Sequence, residues 1–133
     1  MPANNPLHLV VREWVVKAEH DLVNAAHALK LGRECPADTV AFHAQQCAEK
    51  YLKAALIARG SQFPKVHDLL KLSHLCEQAG VLIPLDTDQL DKLSAYAVQV
   101  RYPGDDLTLV EAKEALEIAK RVRRFVRKSL DIA

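Results

Sequence analysis

Glycine is scarce in this chain of 133 residues, with four copies, and aromatic residues make up only 5%. Strands draw on aromatic and β-branched residues, and hairpins turn on glycine, so both shortages point away from sheets and toward helices. The three cysteines, Cys35, Cys47 and Cys76, are odd in number, far apart and form no C-x-x-C pair. That argues against a disulfide framework and against a zinc site. A dominant charge is also missing: the net charge is +1, so global electrostatics select neither nucleic acid nor a membrane surface. No apolar run approaches the roughly 20 residues of a membrane span. The start, MPANNPLHLVV, lacks the basic and apolar regions of a signal peptide. A cytoplasmic protein with reduced thiols and no membrane association is the expectation. Glycine-rich phosphate loops are absent as well, since neither LGRECP nor ARGSQF qualifies, and no cofactor is expected.

What is present is helical period. The length suits one domain over residues 1–133 with a core that needs no staple. Trp14, Ala18, Leu22, Ala25 and Leu29 recur on one face of a helix predicted over 7–31. A second helix is predicted over 38–59, with Asp38 or Cys35 near its start and Gly60 ending it. Asp68 is placed to cap a third over 68–79, closed by Gly80. Asp86 and Gln89 have capping-box spacing before a fourth, over 87–100, which Pro103 and Gly104 break. Thr108 and Glu111 make a second capping box before the last helix, over 109–130. The expected fold is all-α, an up-and-down bundle of four to five helices.

The second helix poses the functional question. Val40, Ala41, Ala44, Ala48, Tyr51, Leu52, Ala55 and Ala58 share one broad arc at 100° per residue. Roughly opposite, Phe42, Gln46, Glu49 and Lys53 form a stripe flanked by His43 and Lys50. A solvated outer face with one Glu49–Lys53 pair, worth about 0.2–0.5 kcal/mol, accounts for this pattern; a polar groove is the alternative. The first helix places Asp21 on its Ala18–Ala25 face, where a carboxylate needs a cation. Lys50, Lys53 and Arg101 are the candidate partners.

Other clusters read more plainly. In YPGDD, Asp105 and Asp106 make too thin a shell for magnesium or calcium, and a turn before a capped helix explains them. His67 and His74 are seven apart and lack the third ligand of a zinc site, so no metal is expected. KRVRRFVRK, 120–128, carries six cations in two helical rows. Such rows can track phosphates, or they can be a solvated face balanced by Glu111, Glu114 and Glu117.

Four segments, AEHDLVNA (18–25), FHAQQCAEKYLKAAL (42–56), FPKVHDLLKL (63–72) and YAVQVRYPGD (96–105), together resemble the HEPN family, the higher eukaryotes and prokaryotes nucleotide-binding domain. The resemblance runs from about residue 18 to the end of the last helix. It implies a helical bundle that commonly dimerises, and a ligand groove where Gln46, Glu49, Lys50 and Lys53 lie near His67, Asp68 and the Arg101–Tyr102–Pro103 turn. Asp21 and His43 would support that groove. It further implies pairing with a minimal nucleotidyltransferase in a toxin–antitoxin-type system, with a nucleotide or RNA as ligand. Some members are metal-independent endoribonucleases that use an Arg-x4–6-His motif across a dimer. Here Arg101 is followed at those distances by Asp106, Leu107 and Thr108, and no histidine follows His74. Histidine titrates near neutral pH and suits both proton transfers. Its loss favours binding over catalysis and leaves a ribonuclease with an altered catalytic set, or a non-catalytic interaction dimer, as alternatives.

Overall fold

The computed structural model describes residues 6–98 and 102–132. Within them, five α-helices run α1 (Pro6–Leu29), α2 (Ala37–Ala58), α3 (Leu69–Gln78), α4 (Thr87–Val98) and α5 (Leu109–Ser129), with one 3-10 turn at Gly32–Glu34. The expected bundle is present. The predicted end of α4 at 100 and the whole of Arg101 lie outside the described residues.

Helix ends follow local chemistry. Gly60 takes a φ of 71°, which lets Ser61 N donate to Leu56 O and Gly60 N to Ile57 O, each at 2.9 Å. These two bonds satisfy carbonyls that α2 leaves open at its end. Asp68 caps α3 by accepting from Leu70 N and Lys71 N. Thr108 and Glu111 exchange both capping bonds at the start of α5. Helix α2 starts at Ala37, next to Asp38 as expected; its N-cap is Pro36, with no side-chain cap bond. The Asp38 carboxylate instead makes a tertiary contact, accepting from Leu107 N at 3.2 Å.

Helix α2 is the central element, packed against α1, α3, α4 and α5. Its alanine arc explains how. Ala41, Ala44 and Ala48 are fully buried, as are Ala18 and Ala25 of α1; small side chains let the axes approach. Tyr51 and Leu52 on the same arc are fully buried too. Glu19 meets Tyr51 and Ala28 clusters with Val40, so α1 and α2 run antiparallel. The segment after Gly60 then turns back along α2, which places His67 beside Gln45 and Glu49.

Candidate ligand groove around helix α2

The polar stripe of α2 is sealed at its C-terminal half, while Phe42 is exposed and Gln46 half-buried. Glu49 and Lys53 are only 4% and 7% exposed, because the returning segment 59–68 lies over them. Lys53 Nζ bonds Glu49 Oε2 at 2.9 Å and sits 5.3 Å from the Phe63 ring centre and 5.9 Å from that of Trp14. These two rings meet edge to face. Cation–π attraction, up to about 2 kcal/mol when desolvated, helps to offset the cost of burying the ammonium.

Glu49 is the hub. Its Oε1 accepts from Gln45 Nε2 at 3.0 Å and from His67 Nδ1 at 2.9 Å. Gln45 also donates to the His67 carbonyl at 3.0 Å and accepts from Gln46 Nε2 at 2.8 Å. Both N–H groups and the oxygen of this wholly buried amide therefore have a partner. Burial pushes the Glu49 carboxyl up, but hydrogen bonds from Gln45, Lys53 and His67, with the Lys53 charge, outweigh this. The group titrates below its ordinary value of 4.5.

Gln46, Glu49, Lys53 and His67 thus come together. Lys50 belongs to a neighbouring network. Its Nζ lies 2.5 Å from Asp21 Oδ2, and His43 Nδ1 lies 2.8 Å from Asp21 Oδ1. Asp21 is buried, as its helix face predicts. Of the three cations considered for it, Lys50 is the observed partner; Lys53 faces Glu49 instead, and Arg101 lies outside the described residues. Asp68 is at the rim as the α3 cap, and Tyr102 is 73% exposed in the turn closed by Asp105 N on Tyr102 O.

Gln45 has a signal in the sequence: it lies four after Ala41 and three before Ala48, at the edge of the buried arc. A third network was also missed. Glu19 accepts from Tyr51 Oη at 2.5 Å, Arg123 Nε at 2.7 Å and Arg127 Nη1 at 2.9 Å, and Arg127 Nη1 donates to Tyr51 Oη at 3.1 Å. Burial raises the Glu19 carboxyl, and the Tyr51 and Arg123 bonds with the two arginine charges bring it below 4.5. Burial and the adjacent Glu19 carboxylate push the Tyr51 hydroxyl up to about 12. The signal was Glu19 four residues after Val15, on the edge of the core face.

Comparison with known proteins decides the family. The family model of the HEPN domain matches residues 11–129. The chain belongs to the HEPN family. Two solved structures are similar. TT1696 from Thermus thermophilus shares 30% identity at a TM-score of 0.68, over 89% of this chain and 96% of that one. ST0689, described as an archaeal HEPN homologue, shares 28% at 0.65, over 90% and 96%. No curated protein matches.

Burial pushes the Cys47 and Cys76 thiols up to about 12, so neither is a thiolate nucleophile at neutral pH. Among the described residues, no three His, Cys, Asp or Glu side chains gather to hold a metal, and no helix is long and apolar enough to cross a membrane.

A pH dependence follows from the two depressed carboxyls. Glu19 and Glu49 titrate in the fold below 4.5, the ordinary value that the unfolded chain regains. Between the folded and unfolded values the unfolded chain binds more protons. Stability from both groups is therefore complete above that window and lost as pH falls through the folded values. Urea unfolding from about pH 6 to about pH 3 is expected to show this loss, and Glu49→Gln to flatten part of it.

Proposed function

We propose that this HEPN protein is a binding subunit. It holds a nucleotide or RNA segment at the outer edge of the Glu49 network, as a homodimer and as partner of a minimal nucleotidyltransferase in a toxin–antitoxin-type pair. The reading rests on His67. Its side chain is 68% exposed while Nδ1 is held 2.9 Å from Glu49. The Glu49 carboxylate only accepts, so a neutral imidazole keeps its proton on Nδ1 and offers Nε2 as an oriented acceptor. Half-buried Gln46 stands beside this assembly with amide capacity beyond its one bond to Gln45. Base edges and ribose hydroxyls are the donors and acceptors such groups read. Lys50, with two more N–H groups than Asp21 uses, suits a phosphate.

Three observations support the setting. Leu9, Val16 and Val23, spaced seven apart on α1, are 55%, 49% and 63% exposed, a stripe suited to the same helix of a second copy. The three cysteines are free thiols, which fits a cytoplasmic location. Both similar structures match along almost their whole length.

Isothermal titration with nucleotides and short RNA tests the reading. Binding is expected for the native protein and about tenfold weaker for His67→Ala, one lost hydrogen bond to a polar ligand, with unchanged circular dichroism. Absence of any heat at millimolar ligand would overturn the site, and failure of a neighbouring nucleotidyltransferase to co-purify would overturn the partner.

One observation favours a second reading. His43 and His67 are each oriented by a buried carboxylate, an arrangement that also serves general acid–base catalysis. A ribonuclease of this kind cleaves RNA in chelator, and His67→Ala abolishes it; intact RNA after long incubation removes this reading.

A further inference from the structure

The Glu19 network borders two clefts that the His67 site does not use. One, of about 540 Å³, is lined by Arg123, Arg124, Arg127 and Lys128. The other, of about 490 Å³, has Arg12, His20 and Arg127 around a floor of Val15, Val16 and Ile132. Arg127 and Ile132 belong to both, so the two form one tract between α1 and the end of α5.

Its charge is out of proportion to the chain. Arg12, Arg123, Arg124, Arg127 and Lys128 face Glu19 and Asp131 there, a surplus of three in a chain whose total is +1. The acids of α5 do not cancel it. Glu111 closes the capping box, Glu114 bonds Lys92 at 3.0 Å and Glu117 bonds Lys120 at 3.5 Å. The negative end of the α5 dipole amounts to about half a charge, well short of the surplus. Glu19 does more than neutralise. By drawing Arg123 and Arg127 to one oxygen, at 2.7 and 2.9 Å, it fixes two guanidinium groups side by side. Arg124 and Lys128 are exposed next to them.

We propose that this tract binds phosphate oxyanions, two or three at a time, from a nucleic-acid strand or a free polyphosphate. Paired, pre-positioned guanidinium groups match the several oxygens of a phosphate. The tract is independent of the His67 site, which lies on another side of α2.

The test is fluorescence anisotropy of a labelled single-stranded RNA titrated with the full chain across a salt series. Three phosphate contacts predict a slope of log K against log salt of about −2. The variant Arg124→Glu/Lys128→Glu leaves the Glu19 network intact. It is expected to reduce the slope by about 1.4, two contacts at about 0.7 each, and weaken binding about tenfold or more, with an unchanged melting temperature. Inorganic tripolyphosphate that displaces RNA at micromolar concentration identifies free polyphosphate as the ligand; displacement only at millimolar concentration identifies the strand. Unaltered affinity and slope in the double variant overturn the tract, as does equal binding of polyglutamate. If the double variant keeps RNA while His67→Ala loses it, the tract fails and the α2 site stands; the reverse result separates them the other way.

Discussion

Replacing Glu49 with alanine is expected to lower unfolding stability by about 3–5 kcal/mol, the usual consequence of removing one partner from a buried ion pair. The reason lies in what is left behind. Lys53 has a side chain only 9% exposed, enclosed by Phe63 and Trp14, and it would keep its charge with no carboxylate. Gln45 and His67 would each lose an acceptor. For a domain of this size the loss corresponds to a melting temperature lower by roughly 10–20 °C, readable by calorimetry. The double replacement Glu49→Leu with Lys53→Met is expected to cost less than Glu49→Ala alone. It removes both charges, and such pairs add little net stability over apolar residues of similar volume. A double variant as unstable as Glu49→Ala would show that the pair, and not the stranded charge, supplies the energy.

Glu19→Gln is expected to move two properties in opposite directions. Stability falls by about 1.5–3 kcal/mol, the range for hydrogen bonds to a charged group, because Tyr51, Arg123 and Arg127 share that one acceptor oxygen. The effect is smaller than at Glu49 because the Glu19 side chain is 28% exposed, so water can replace part of what is lost. Affinity for phosphate at the α1–α5 tract rises, since removing one carboxylate takes its local surplus from three charges to four. Chemical denaturation and the anisotropy titration read the two effects separately. A variant that loses both stability and phosphate affinity would mean that the orientation of Arg123 and Arg127 by Glu19 matters more than the charge removed.

These two carboxylates also mark the boundary between local and tertiary information. The helices were legible because their causes are local: an apolar residue every three or four positions, Thr108 and Glu111 in a capping box, Gly60 at the end of α2. Asp21 was legible for the same reason, lying three residues after Ala18 and four before Ala25. The HEPN resemblance drew on those same segments, and the family match covers them.

Which polar residues would be buried was decided elsewhere. A helical period says that Gln46, Glu49 and Lys53 share a side; it cannot say that segment 59–68 will turn back and cover it, because that depends on a chain reversal beyond the helix. Lys50 and Lys53 are about 60° apart around the axis, so both were reasonable partners for Asp21 until packing set the rotation of α2 against α1. That rotation put Lys50 and His43, seven residues apart, on the α1 side and left Lys53 to Glu49. The same packing brought Arg123 and Arg127 across more than a hundred positions to Glu19. Sequence alone determined the elements and their polar stripes, since those depend on neighbours within one or two turns. Only the tertiary structure decided which stripe is sealed and which charges meet, since burial and long-range pairing belong to the arrangement of helices and not to any one of them.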